Sequence, residues 1–550
     1  MSVVGAIQGA DRSRKRAKGS AAHVAKVQLR VTPRQAKVVD NFFHAGARTY
    51  NAVLREALRR CQALRADPAF EQAKAMGPGE ERKAIFKKLE MAYGFTASSL
   101  QVYANVVRHH YPAAPIFAHE AQELSDQAFG AVARWHYAAG GKPRFKSMKR
   151  GLHSMSGKDK HSAIQPVVED GHLVAVRWGK DVHLALARPK AGSSRRAGEQ
   201  TAERERVAEL VSKGALRYCR VVRSKVKGRY VYEAQFVLGV PAPLRHPVGQ
   251  GKVSMDMGPS QVHWVAGTGP GHHDVLAPGV VYPHKRIRKL SRAIDRCHRN
   301  ESQACFDSAG QHHKGRCFWE NRSHQAENAQ AALAEAHRVL AERRKTEHGQ
   351  LLNKILAAGT DLRCEGQGYR SWQKSYSRSD RDHAPGEFIA RANYKAESAG
   401  SQLYEFSTRT TALSQVCICE RKEKKSLSLR WHSCECGAEA DRDLFSAFLG
   451  LYVAPDQEGT DKLDFVGARR AFGPRRQDLA CQPGAELAGL VPGKARVRRR
   501  PPPGERSLVR IARRLGGPTR GPRPERALRQ RPVLATTGGT EPAPRSGGSK

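Results

Sequence analysis

The spacing of apolar positions changes several times along the chain, and each change marks a structural unit. VAKVQLRV at 24–31 alternates, which predicts a strand. Thr32, Pro33 and Gln35 then supply an N-cap, a first-turn proline and a capping-box partner. Behind them Val39, Phe42, Phe43, Tyr50, Val53 and Leu54 recur on one side of a helix that runs past Leu58. Further helices are predicted around 80–95, 97–109 and 118–137, before Lys142 to Lys146 (KPRFK) returns the chain to extended structure. From about 160 to 240 the period shortens to two in the runs HLVAVRW, DVHLALA, LRYCRVV and RYVYEAQFVL, broken by Gly-, Ser- and Arg-rich turns. A small β-barrel, split by the helical segment before it, accounts for both patterns.

Pro241 to Gly251 reads as a linker. After it, VSMDMG and QVHWVAG predict a hairpin that starts at Val253, and Asp361 to Cys364 predicts a later strand with Glu365 at its end. Between these lie two highly charged helical stretches, 284–300 and 322–357, which fit an exposed helix pair inserted between strands. Cys297, Cys305, His312, His313 and Cys317 fall in their connection without regular ligand spacing, so this segment reads as a solvated loop. Leu444, Phe445, Ala447, Phe448 and Leu449 have the spacing of a buried helix face opened by Asp441-Arg442-Asp443, where acids act as caps against the helix dipole. Residues 1–22 are small, basic and polar. After about 455 the composition collapses into Arg, Pro and Gly (KARVRRRPPPGER, GGPTRGPRPERALRQRP), which buries too little apolar area to fold alone. Both ends are predicted to be disordered and basic.

Composition narrows the partner. A chain of 550 residues allows two to four domains, and a formal charge of +43 with pI near 10.3 points to a nucleic-acid backbone, with a membrane surface the weaker alternative. No run of about eighteen apolar residues occurs, and the N-terminus lacks the apolar stretch of a secretory signal, so a cytoplasmic, nucleoid-associated protein is expected. In that compartment the eleven cysteines are expected to be mostly thiols or metal ligands.

Two constellations carry candidate chemistry. Cys417 and Cys419 are separated from Cys434 and Cys436 by a short basic, strand-like run (Lys424, Lys425, Leu427, Leu429, Trp431), the layout of a zinc ribbon in which two knuckles each give two thiolates to one Zn²⁺. Each pair has one intervening residue where a usual ribbon has two. His432 is a candidate substitute ligand, and a set of reduced thiols in a turn-rich segment is the alternative. The second constellation is acidic. Asp256 stands in an apolar strand between Met255 and Met257, a position that destabilises unless the carboxylate is paired or bound to a cation. Asp256, Glu365 and Asp443 all fall at strand or helix ends, where they could converge on two Mg²⁺ ions about 4 Å apart, the arrangement used for in-line attack of water on a phosphodiester. Each acid taken alone reads as a solvated or capping residue.

In order along the chain, VQLRVTPRQ, GARTYNAVL, KPRFK, SMDMG, APGEF with its following YKA, LSQVC, the cysteine pairs and DRD resemble the TnpB family of RNA-guided nucleases encoded by insertion sequences, relatives of the small type V CRISPR effectors. The resemblance covers most of residues 24–452. It implies an α+β multidomain fold: a β-barrel wedge domain over 23–245 with a helical recognition insertion at about 33–140, then an RNase H-like RuvC domain over 246–455. The latter would carry a helical insertion at about 284–357 and a zinc ribbon at about 411–440, with an arm at 1–22 and a tail at 456–550 outside it. The resemblance also implies a catalytic triad of Asp256, Glu365 and Asp443 with Mg²⁺, a structural Zn²⁺ on the four cysteines, and guide RNA, target double-stranded DNA and displaced single-stranded DNA as partners. The chain departs from the family at Phe445 and Ser446, where Asn and Ala are usual, in the cysteine spacing, and in GYRSWQKSYSRSD after Glu365. The expected function is RNA-guided DNA cleavage. The alternatives are guided DNA binding without cleavage, and an unguided basic nucleic-acid-binding protein with a zinc ribbon.

Overall fold

The computed structural model describes residues 22–479 apart from 111–115, 138–139, 149, 189–193, 314–318, 320 and 427–428. The sequence-based readings for 1–21, for Cys317 and for 480–550 therefore lie outside the described residues.

Strand β1 (His23–Arg30) feeds helix α1 (Pro33–Ala66), and the junction forms as its residues dictate. The Thr32 hydroxyl accepts from the Gln35 N–H at 3.3 Å while the Gln35 side chain accepts from the Thr32 N–H at 3.0 Å, closing the capping box. Val39, Phe42, Phe43, Tyr50, Val53 and Leu54 are all buried. Four helices follow: α2 (Pro68–Ala75), α3 (Glu80–Ala92), α4 (Ala97–His109) and α5 (Ala118–Tyr137). Strands β2 (Ser154–Ser156), β3 (Ile164–Glu169), β4 (His172–Trp178) and β5 (Val182–Leu186), helix α6 (Ser194–Ser212), and strands β6 (Leu216–Val226) and β7 (Arg229–Leu238) complete this part. Its seven strands form one antiparallel sheet in the order β2-β6-β7-β1-β5-β4-β3, curled so that β3 also lies near β6. Helix α1 fills the concavity, with Phe42 and Phe43 against Trp178 at ring distances of 4.7 and 5.7 Å. The sequence reading missed α2 and α6.

The second part is built on β8 (Lys252–Met257), β9 (Gln261–Ala266) and β10 (His272–Val275). Helices α7 (His284–Glu301) and α8 (His324–Ala358) then form the predicted pair, and β11 (Asp361–Glu365) returns to the sheet. Helices α9 (Tyr369–Ser375), α10 (Ser377–His383) and α11 (Pro385–Ser398) lead to β12 (Tyr404–Phe406). A two-stranded ribbon of β13 (Trp431–Ser433) and β14 (Glu439–Asp441) opens α12 (Arg442–Gly450). Finally come β15 (Val453–Pro455), β16 (Asp461–Leu463) and α13 (Phe465–Arg475). The main sheet runs β10-β9-β8-β11-β12, with β8 antiparallel to β9 and parallel to β11.

Side-chain alternation assigns the two faces of this sheet. Met255, Met257, Val262, Trp264, Leu362 and Cys364 join Leu352, Ile355 and Leu356 of α8 and Phe388 of α11 in one core. Val265 and Phe406 join Leu444, Phe445, Phe448, Phe472 and Leu479 in another. Two expectations are corrected here. The predicted tail at 456–550 begins too early, because Ala468, Phe472 and Leu479 are buried in this second core. Buried Arg475 fastens the segment further by donating to the carbonyls of Ala266, Gly267 and Gly269 at 2.9, 3.2 and 2.6 Å. Among the described residues, which leave out Leu427, the basic run between the cysteine pairs is not a strand before Trp431.

Candidate metal centres

The acids meet on the α12 face of the main sheet. Asp256 alternates with Met255 and Met257, so it points away from their core and toward α12. Cys364 pairs with Met255 in parallel register, so one step further along both strands sets Glu365 beside Asp256. Asp443 comes from the first turn of α12, which packs across β8 and β9 and approaches closely enough that a Cβ at Gly450 would collide with Ser254. All three carboxylates are half-buried.

Their electrostatics follow from this crowding. Burial, and then the charges of Glu365 and Asp443, hold the Asp256 carboxyl well above the ordinary carboxylate range. Burial also raises Glu365, opposed by hydrogen bonds from the Leu413 N–H and the Gln367 side chain. At Asp443 burial acts in the same direction, but His263, Arg442 and Arg430 outweigh it and leave the group below its usual value. Arg442 and Arg430 each reach one Asp443 oxygen, at 2.9 and 2.8 Å. Asp441 plays a different part. Its Oδ1 accepts from the N–H groups of Asp443 and Leu444, both at 3.0 Å, so it is the helix cap.

A cluster of carboxylates whose mutual repulsion raises one of its members fits a cationic partner, and Asp256, Glu365 and Asp443 are the residues that would hold Mg²⁺. Their oxygens do not fall within 4.8 Å of one another as a set of three. The sequence reading missed His263, which pairs with Asp256 across β8 and β9 and lies 4.0 Å from Asp443. Burial, and then His273 and Arg430, push its pKa down to about 4 against the pull of Asp443 and Asp441, so the ring is neutral at physiological pH. Its strand is buried at almost every position, which hides the alternation that would have singled it out.

The cysteines form the second centre. Cys417, Cys419, Cys434 and Cys436 bring their sulfurs within 4.8 Å of one another, with Cys417–Cys436 at 3.5 Å and Cys419–Cys434 at 3.6 Å. Zinc bound tetrahedrally through bonds of about 2.3 Å spaces its sulfurs about 3.8 Å apart, so the four thiols fit the ion. The two short pairs share one backbone plan. The N–H of Cys417 donates to Arg421 and that of Cys434 to Ala438, each around a left-handed residue, Glu420 (φ 73°) or Gly437 (φ 83°). In this turn the first and third residues carry the thiols, which is how one intervening residue replaces two.

His432 is not among the clustered ligands. Its Nδ1 lies 2.7 Å from the Lys425 ammonium, which can only donate. Nε2 therefore carries the proton and donates to the Cys417 sulfur at 3.3 Å, supporting a thiolate rather than replacing one. The other face of the imidazole stacks on Phe445 at 4.0 Å. The residue that departs from the family pattern thus has a packing role behind the cysteine centre.

No family model and no curated protein matches the sequence. Among solved structures, the chain is similar to one in "Cryo-EM structure of the Cas12f1-sgRNA-target DNA complex", at TM-score 0.40 and 11% identity, covering 79% of this chain and 99% of that one. It is also similar to one in "Cryo-EM structure of CRISPR-Cas12f Ternary Complex", at TM-score 0.27 and 11% identity, covering 78% and 83%.

Proposed function

We infer that the protein is an RNA-guided DNA endonuclease encoded by an insertion sequence, with Asp256, Glu365 and Asp443 as its catalytic carboxylates. The observation that carries the reading is the convergence of these acids from two adjacent parallel strands and one helix N-terminus, with Asp256 raised by its neighbours. Bound there, Mg²⁺ would activate water and offset the charge that builds on a phosphodiester during in-line attack. The chain's own task is to keep the carboxylates apart at fixed positions and to hold His263 neutral beside them. Guide dependence rests on the motif resemblance and on the +43 charge suited to a heteroduplex backbone. On this reading the curled sheet with α1 to α5 is the wedge and recognition part, and the second part is the RuvC-like nuclease with its zinc ribbon.

The test is to sequence RNA that co-purifies with the full chain, then measure binding and cleavage of a matched DNA separately in Mg²⁺. One defined RNA and guide-matched cutting support the reading, whereas heterogeneous RNA and no cutting reject it. Guided binding without cleavage is the second reading, favoured by one observation: both oxygens of Asp443 are already held by arginines, and a metal ion must displace them. Matched binding with no Mg²⁺-dependent cutting would select it.

A further inference from the structure

The described residues that follow α7, 302–313, are folded, contrary to the solvated loop expected from the spacing of this connection. Ser302 to Cys305 make a helical turn that follows α7. The chain then doubles back, with Phe306 bridged to His312 and the His313 N–H donating to the Cys305 carbonyl at 3.0 Å. Asp307 holds the bend by accepting from the Gln311 N–H at 2.7 Å, and Gly310 takes the left-handed conformation there (φ 70°). Glu301 ties the far side by accepting from Trp319 Nε1 at 2.9 Å and from the Ser323 N–H at 3.1 Å. This scaffold gathers His298 from the last turn of α7, Cys305 and His312, with ligand atoms within 4.8 Å of one another.

Three details suit these side chains to an ion. The Nε2 of His298 is shut off from solvent and has no hydrogen-bond partner, an unmet demand inside a cluster of metal-ligating groups. The His298 ring is clamped between Trp319, stacked at 4.5 Å, and Phe306, edge-on at 5.0 Å, so its direction is fixed. His312 Nδ1 lies 2.9 Å from the His313 carbonyl; donation to that oxygen leaves Nε2 with its lone pair, the arrangement that orients metal-binding imidazoles. Against these stands one fact: Cys305 is disulfide-bonded in this structure. A sulfur cannot serve both bonds, so disulfide and metal exclude each other.

We propose that His298, Cys305 and His312 form a second zinc-class metal site at the tip of the α7–α8 pair, available only when Cys305 is reduced. Two equivalents of a thiol reductant break the S–S bond and leave as their own disulfide. The Cys305 thiol then loses its proton to solvent as the ion binds. Two imidazoles and one thiolate match the borderline-soft preference of Zn²⁺ and disfavour Mg²⁺, so this site does not compete for the ions of the acid cluster. In the cytoplasm the metal form prevails, and it locks the end of a helix whose exposed Lys285, Arg286, Arg288, Lys289, Arg292 and Arg296 form a basic face.

The inference stands apart from the nuclease reading and from the Cys417 cluster, and the test compares chains that share both. Zinc is counted in the reduced full-length protein and in its His298→Gln, His312→Gln double variant; the variant should carry about one ion fewer. Oxidised wild type should show the same deficit. Equal zinc in all three overturns the proposal. Because the double variant could unsettle the tip, a second measurement uses reduced wild type alone: alkylation of Cys305, followed by mass spectrometry, should slow at least tenfold when zinc is added and recover when it is removed. Unchanged alkylation overturns the proposal as well.

Discussion

Replacing Asp256 by Asn removes one charge from the acid cluster at nearly constant volume, and it should move stability and cleavage in opposite directions. The folded carboxyl titrates above its unfolded value of 3.8 because of burial first and the Glu365 and Asp443 charges second. Such a group contributes its stabilisation fully below the unfolded value and loses it as pH rises through the raised folded value. At neutral pH this linkage costs about 1.4 kcal/mol for each pH unit between the unfolded value and the lower of the folded value and the ambient pH, which Asn does not incur. In Mg²⁺-free buffer at pH 7.5 the variant should melt higher than wild type, by about 2–4 °C per kcal/mol, and the difference should vanish toward pH 4. Mg²⁺ should invert the order. An ion that binds only the native state adds about 2.7 kcal/mol at a hundredfold excess over its Kd, and only wild type keeps the full ligand set to gain it. Cleavage of matched DNA should fall by roughly 10³-fold, about 4 kcal/mol of transition-state stabilisation, while guided binding persists. Thermal melts at two pH values, with and without Mg²⁺, and a cleavage time course provide the readouts. A variant less stable than wild type in Mg²⁺-free buffer, or a wild type whose melting ignores Mg²⁺, would refute the reasoning.

Other outcomes follow from the same contacts. Changing Cys434 and Cys436 together to Ser should remove about one zinc per chain, measured by metal analysis, and lower the melting temperature, since site formation contributes folding free energy. Truncation after residue 455 should abolish cooperative unfolding, because burying Phe472 and Leu479 is worth about 1.5–3 kcal/mol each and the carbonyls of Ala266, Gly267 and Gly269 lose the Arg475 donor, whereas truncation after 481 should leave the melt intact. Asp441→Ala should cost about 1 kcal/mol in denaturant titration but spare cleavage, with Asp441→Asn restoring the loss, since the residue caps α12. Glu420→Gly should raise stability by about 1 kcal/mol without changing zinc content, because a non-glycine residue at φ 73° is strained.

How far the sequence discloses this molecule depends on how local each signal is. The β1–α1 junction was legible because Thr32, Pro33 and Gln35 specify it within four residues. Asp256 was legible because an acid between two methionines in an apolar strand has few stable explanations. Helix α6 was not, since SRRAGEQTAERERVAELVS carries its few apolar residues late and lies among strands. The fold of 456–479 was hidden by Pro474 and by arginines, and Arg475 looks like tail composition until its three carbonyl partners, more than two hundred residues away in sequence, are in place. The fold at 302–313 was concealed in the same way: His298, Cys305 and His312 are irregularly spaced along the chain and come together only after the turn at Asp307 to Gln311 folds.

Helix α12 belongs to both candidate metal centres at once. Its first turn presents Asp443, and two residues later Phe445 supports His432, which in turn bonds the Cys417 sulfur. If the protein is the proposed nuclease, a chelator that strips zinc from the cysteines would loosen the seat of Asp443, and the lost activity would look like simple magnesium dependence. On the proposed reading, inhibition by EDTA would not distinguish the two ions. The experiment that separates the two ions is exchange rather than removal: with zinc left in place, substituting Ca²⁺ for Mg²⁺ alters the acid cluster alone.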